Sequence, residues 1–169
     1  MNRHDEPARL AANPEDYACF EIAKGDIEPW EDGIRLDPAE PDTEWWYFDS
    51  LLDDGAKLAV TFCTKDGSGP HQPLGPLIEI DLDLPDGRRL MRYGRFEAAD
   101  FQASKDGCDV RIGKHRFTGN LHEYAITGAA EDGSAEVRLE GTTESWRPET
   151  GHIVFGAEGE RRAVPQPGA

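Results

Sequence analysis

The sequence predicts an all-β domain, a barrel or sandwich of antiparallel strands. Apolar and polar residues alternate with period two, Asp-Gly dipeptides fall between the alternating segments, and helical periodicity is nearly absent. Leu58, Val60 and Phe62 form the first alternating row, and Ile78, Ile80, Leu82 and Leu84 interleave with Glu79, Asp81 and Asp83 in the next. Val110 with Ile112, Tyr124 with Ile126, and Ala135, Val137 and Leu139 continue the pattern. Asp-Gly stands at 32–33, 54–55, 66–67, 86–87, 106–107 and 132–133. Two-residue hairpin turns need positive φ, which Asp and Gly adopt readily. About nine or ten hairpin-connected strands follow, at the spacing of an all-β barrel or sandwich.

A chain of 169 residues fits one domain able to bury about 70% of its unfolded surface. The expected packed body is residues 17–160, with a loose tail over residues 1–16, where a helical turn or two is the most that 6–12 would form, and another over 161–169. The formal net charge is −16, from 34 acidic against 18 basic side chains with no basic block, which argues against nucleic acid and anionic membranes as partners. Cys19, Cys63 and Cys108 are odd in number and widely spaced, as free thiols of a reducing compartment would be. With neither a secretory leader nor a membrane-length apolar run, the expected location is cytoplasmic.

Glu44-Trp45-Trp46-Tyr47-Phe48-Asp49 breaks the alternation. In a strand, Trp45, Tyr47 and Leu51 face one side while Trp46, Phe48 and Leu52 face the other, so the sequence predicts that both sides are covered. Large rings on both faces make Trp45, Trp46, Tyr47 and Phe48 candidate contacts for a flat apolar ligand such as a polyene, terpenoid or polyketide, or for a sugar. They can equally be core. Glu44 is the candidate catalytic acid, because a carboxyl packed against indole rings has a raised pKa and can donate a proton near neutral pH. The alternative is that Glu44 marks the solvated entrance to the strand and Asp49 caps a turn. No other constellation competes. His4, His71, His115, His122 and His152 include no pair at metal-site spacing, although His115 and His122 lie in adjacent predicted strands. Ser68 sits in a Gly-Ser-Gly-Pro turn, and Pro70 and Pro73 forbid the helix start that a phosphate loop needs. No metal or other cofactor is expected.

Asp42-Thr43-Glu44-Trp45-Trp46-Tyr47-Phe48-Asp49 with the hairpin 51–62 resembles the opening signature of the AttH-like and carotenoid 1,2-hydratase (hydroxyneurosporene synthase) family. Two later blocks resemble the same family in the same order. The first is Asp109-Val110-Arg111-Ile112-Gly113 with Phe117-Thr118-Gly119-Asn120 and Tyr124; the second is Trp146-Arg147-Pro148-Glu149-Thr150-Gly151-His152 with Phe155-Gly156. The resemblance implies a lipocalin-like (calycin-type) antiparallel β-barrel that binds a hydrophobic isoprenoid or polyketide-like molecule, and it adds Tyr124 and Trp146 to the candidate ligand contacts. In such proteins two barrels stand in tandem, and a His and an Asp of the second handle protons. This chain resembles the N-terminal half, and residues 164–169 resemble the linker onward. The expected cover for the second face of the aromatic strand is that other domain or a second copy of this chain. The implied activity is a hydratase (lyase) or cyclase; the alternatives are a non-catalytic carrier and a carbohydrate-binding β-sandwich.

Overall fold

The computed structural model describes residues 8–37, 43–66, 72–155 and 162–165. His4, Ser68, His71, the Asp66-Gly67 turn and the 166–169 part of the linker-like tail lie wholly or partly outside the described residues. In chain order the strands are β1 (Ala8–Leu10), β2 (Trp45–Leu51), β3 (Lys57–Cys63), β4 (Leu77–Asp83), β5 (Arg89–Arg95), β6 (Phe101–Ala103), β7 (Asp109–Ile112), β8 (His115–Gly119), β9 (Glu123–Ala130), β10 (Gly133–Glu140), β11 (His152–Phe155) and β12 (Arg162–Pro165). Among the described residues one helix, α1 (Pro14–Phe20), and two short 3-10 turns at Pro29–Asp32 and Ala98–Asp100 accompany them. The protein is all-β, with every strand pair antiparallel.

The chain divides into two compact units, residues 28–144 and a smaller one formed by 1–27 with 145–169. The larger holds two meanders, in strand order β2-β3-β4-β5 and β10-β9-β8-β7-β6. Among the described residues no strand pairing joins these sheets into a closed barrel. Their alternating apolar rows meet in one core: Trp46, Val60, Phe62, Ile78 and Ile80 from the first sheet pack with Val110, Ile112, Phe117 and Ile126 from the second. Phe62 and Phe117 meet edge to face at 5.7 Å across the layers.

The Asp-Gly punctuation holds where it joins β2 to β3 and β4 to β5, by a different turn from the two-residue one expected. Gly55 (φ +84°) and Gly87 (φ +85°) are the only left-handed residues of their turns. In each turn a carbonyl accepts from the glycine N–H, Leu52 from Gly55 at 2.8 Å and Leu84 from Gly87 at 3.0 Å. Asp54 and Asp86 accept the N–H two residues on, at 2.9 and 3.1 Å. This is a three-residue loop closed by a glycine bulge, with Asp needed for its carboxylate rather than for positive φ.

The smaller unit corrects the expectation of loose ends. Ala8–Leu10 is a strand rather than a helical turn, and it pairs with β11, which pairs in turn with β12. Residues 1–16 and 161–169 therefore contain sheet, and alternation is too short to read in strands of three and four residues. The Arg147-Pro148-Glu149-Thr150-Gly151-His152 block holds this unit together. Arg147 donates to the carbonyls of Ala23 at 2.7 Å and Asp26 at 3.2 Å, and also to that of Glu149. Glu149 accepts from Tyr17 Oη at 2.6 Å, and Thr150 Oγ1 donates to the Ala11 carbonyl at 2.6 Å. His152 stacks on Phe20 with ring centroids 4.0 Å apart. These residues tie α1 and β1 to the segment that carries β11.

Candidate ligand site on the aromatic strand

Strand β2 is split by the parity of its residues. Trp46 points inward and is 6% exposed, and its indole N–H donates to the Asp32 carbonyl at 3.1 Å. Phe48 packs beside it against the same core. On the other face Trp45 is 40%, Tyr47 47% and Leu51 72% exposed. Among the described residues one face of β2 fills the core and the other is left exposed, so the cover expected for the second face from another domain or a second copy is not supplied by the described strands of this unit. The reason lies in the layering, because a two-sheet sandwich supplies only one interior to each sheet.

Register extends the open face across four strands. Tyr47 lies in one row with Thr61, Glu79 and Tyr93, and Asp49 in the next with Ala59, Asp81 and Met91. An open groove of about 440 Å³ crosses these rows, lined among others by Tyr47, Leu51, Ala59, Lys57, Asp81 and Arg89. Arg89 pairs with both oxygens of Asp81, through Nε at 3.1 Å and through its second nitrogen. That pair holds the guanidinium protonated and fixes one polar anchor in a groove that Asp49, Lys57 and Asp83 also line beside Tyr47, Leu51 and Leu58. Its volume suits a small molecule with an apolar body.

Glu44 has another occupation. Its carboxylate accepts the backbone N–H of Arg35 at 2.9 and 3.1 Å and of Leu36 at 3.0 Å. Burial raises its pKa while those amide bonds lower it. Its own N–H and carbonyl are engaged by Thr64. Glu44 clamps the 35–36 segment to the start of β2, and it does not line the groove.

The carboxyl that does sit among rings is Asp32. Tyr124 Oη donates to Asp32 Oδ2 at 2.6 Å, and Tyr124 packs edge-on to Phe117 at 6.4 Å. Burial pushes Asp32 up, with the Tyr124 bond acting the other way, and burial together with Asp32 pushes Tyr124 and Cys108 up. The dipeptide pattern places Asp32-Gly33 in a hairpin; instead a 3-10 turn ends there, and Gly33 lies so tightly on 104–105 that a Cβ would approach backbone to 2.8 Å. The signal available in sequence was Trp30 beside Glu31-Asp32, an aromatic next to carboxylates, like the run at 44–49.

The raised value has a testable sign. A carboxyl whose folded pKa exceeds its unfolded one favours the fold when protonated, and this contribution is lost as pH rises from the ordinary aspartate range through the raised value. Asp32→Asn keeps an acceptor for Tyr124 and removes the titration. Its unfolding free energy relative to the parent should therefore rise as the pH climbs above the ordinary aspartate range of about 4, as read from urea curves. A difference that stays constant with pH would contradict this.

The remaining candidates separate. Trp46, Phe48 and Tyr124 belong to the inter-sheet core, Trp45 and Tyr47 to the open face, and Trp146, 66% exposed, to the smaller unit. His115 is buried edge-on to Phe96 at 5.4 Å, and burial lowers its pKa; His122 is exposed. Among the described residues no group of three His, Cys, Asp or Glu could hold a metal, and no helix is long and apolar enough to cross a membrane. Burial pushes the Cys63 thiol up to about 12 and Cys108 higher, while Cys19 is exposed. Iodoacetamide at pH 8 should label Cys19 at least tenfold faster than the other two, because the thiolate is the nucleophile; equal rates by peptide mass mapping would refute the burial of Cys63 and Cys108. Comparison with known proteins finds no family, no curated protein and no solved structure that matches this chain.

Proposed function

We propose that this chain is a lipocalin-like, hydrophobic-ligand-binding domain of the carotenoid 1,2-hydratase and AttH-like type. Its ligand lies along the open face of β2-β3-β4, with Tyr47 and Leu51 as the apolar wall of the groove, the Asp81–Arg89 pair as a polar anchor, and Trp45, outside the groove, as the continuation of the same face onto which a long ligand extends. The carrying observation is the exposure of Trp45, Tyr47 and Leu51 beside a groove of suitable size. Exposed rings of this kind in a soluble chain are typical of a binding surface. The order of the aromatic-strand motif and the two later blocks supports the family, and a ligand with an apolar body and one polar end agrees with an oxygenated isoprenoid or a polyketide.

Binding is favoured over catalysis by this chain alone. Glu44 and Asp32, whose carboxyls burial raises, do not line the groove, and Glu44 is held by hydrogen bonds from two backbone N–H groups, those of Arg35 and Leu36. In the catalytic alternative the domain forms the N-terminal wall of a hydratase or cyclase site whose acid comes from a second domain. Equilibrium dialysis against the neutral isoprenoid alcohol geranylgeraniol, with mass spectrometry of the recovered ligand, tests both. The expected result is saturable binding with the alcohol recovered unchanged. A hydrated or cyclised product would establish the catalytic alternative, and binding of soluble oligosaccharides without the alcohol would replace the proposal with a sugar platform.

A further inference from the structure

We propose that two copies of this chain associate edge to edge through β2, making one continuous sheet in the order β5-β4-β3-β2-β2-β3-β4-β5. The inference starts from the edge of the strand and does not rest on the ligand proposed for its face, although Trp45, Tyr47 and Leu51 serve in both and the two would compete for them. Strand β2 terminates its sheet, and among the described residues it pairs only with β3. The Thr64 N–H donates to the Glu44 carbonyl and the Leu52 N–H to the Ala56 carbonyl, which assigns the bonds to β3 to even-numbered residues. The N–H and carbonyl groups of Trp45, Tyr47, Asp49 and Leu51 therefore point away from the sheet. Their side chains are the exposed ones.

Other edges of the larger unit carry guards that β2 lacks. Strand β5 has Arg89, Arg92 and Arg95, β10 has Glu136, Arg138 and Glu140, and β6 is three residues long. Charges and shortness are what keep sheet edges from pairing with other chains. Along the seven residues of β2 there is one charge, Asp49, and no Pro, Gly or Lys.

The outward groups also select a register. A two-fold axis at Phe48 pairs Tyr47 with Asp49 of the partner subunit and Trp45 with Leu51 of the partner subunit, using the whole strand. Moving the axis to Asp49 would set the two Asp49 carboxylates face to face, and moving it to Tyr47 would leave Leu51 without a partner residue in the strand. The chosen register closes the two exposed apolar groups, Trp45 and Leu51, on each other, as a self-complementary two-fold contact requires. Covering roughly 100 Å² on each of Trp45, Tyr47 and Leu51 in both copies gives about 600 Å² before the backbone edge is added, below the roughly 1,200 Å² of a standard stable interface. Association is therefore weak, and a net charge of −16 on each copy opposes it until salt screens the repulsion.

Sedimentation equilibrium of the full chain should give a mass near 18.7 kDa at micromolar concentration in low salt. It should approach twice that value toward about 1 mM in 0.5 M NaCl, where the Debye length falls to a few ångströms. Asp49→Pro should abolish the increase, because proline removes an outward N–H and is tolerated on an edge where the N–H faces away from the neighbour. On the unaltered protein, amide hydrogen exchange at Tyr47 and Asp49 should slow at least tenfold over the same concentration range, with β5 unaffected. A mass that stays at one chain in 0.5 M salt, exchange at Tyr47 and Asp49 that does not change, or a folded Asp49→Pro variant that dimerises as the parent does would each overturn the proposal.

Discussion

Trp46→Ala should destabilise the protein by about 3–5 kcal/mol, whereas Trp45→Ala, one residue away, should change stability by less than about 1 kcal/mol. Trp46 is buried, lies 6.4 Å from Phe101 between ring centroids, and uses its indole N–H on the Asp32 carbonyl. Its removal leaves a ring-sized void between the sheets and an acceptor without its donor. Trp45 loses only a partial contact on the open face. Urea unfolding of the two variants checks the contrast. Similar losses in both would mean that the two faces of β2 are equally packed, contrary to the parity described above.

Gly119→Ala should be the next most damaging change, at about 1–3 kcal/mol through overpacking. A Cβ at Gly119 would fall 2.1 Å from the ring of Tyr124, so the ring must leave its place. The displaced phenol then releases Asp32, while the Gly119 N–H bond to the Cys108 carbonyl holds the backbone in position. The measurable signature is twofold: a lower urea midpoint, and a larger pH-dependent stability difference for Asp32→Asn when that change is made in the Gly119→Ala background, because the displaced phenol no longer offsets the effect of burial on Asp32. If Gly119→Ala leaves both unchanged, the Tyr124–Asp32 contact is not part of the packed core.

Period-two alternation was enough to place β3, β4, β7, β9 and β10, because each has one solvated and one dry face and the pattern records that difference directly. Ile78, Ile80 and Leu82 against Glu79, Asp81 and Asp83 is the plainest case, and burial follows it along β4. The same reasoning goes only halfway at β2. Rings at every position imply two dry faces, but the sequence cannot say whether this chain or something else covers each, and here Trp45 and Tyr47 have no layer above them among the described strands of their unit. Local signals misled at Asp32-Gly33, where a common turn dipeptide conceals a carboxyl that meets Tyr124, 92 positions later in the chain. Contacts of that kind arise from the pairing of whole sheets and leave no local trace. The short strands β1 and β12 were illegible because three or four residues establish no period, and β1 in addition pairs with a strand distant in sequence, β11.

The division of the aromatic strand into a core face and a ligand face is tested most directly by geranylgeraniol binding to the parent, Trp45→Leu and Trp46→Leu proteins in equilibrium dialysis, with urea unfolding of each. The expected result is saturable binding by the parent and a loss of about tenfold in affinity for Trp45→Leu, equivalent to about 1.4 kcal/mol, with stability retained. Trp46→Leu should lose stability and, at urea-free conditions where it remains folded, bind the alcohol as the parent does. A Trp45→Leu protein that binds with parental affinity, or a Trp46→Leu protein that stays fully stable while losing the ligand, would place the site on the inner face and contradict the account.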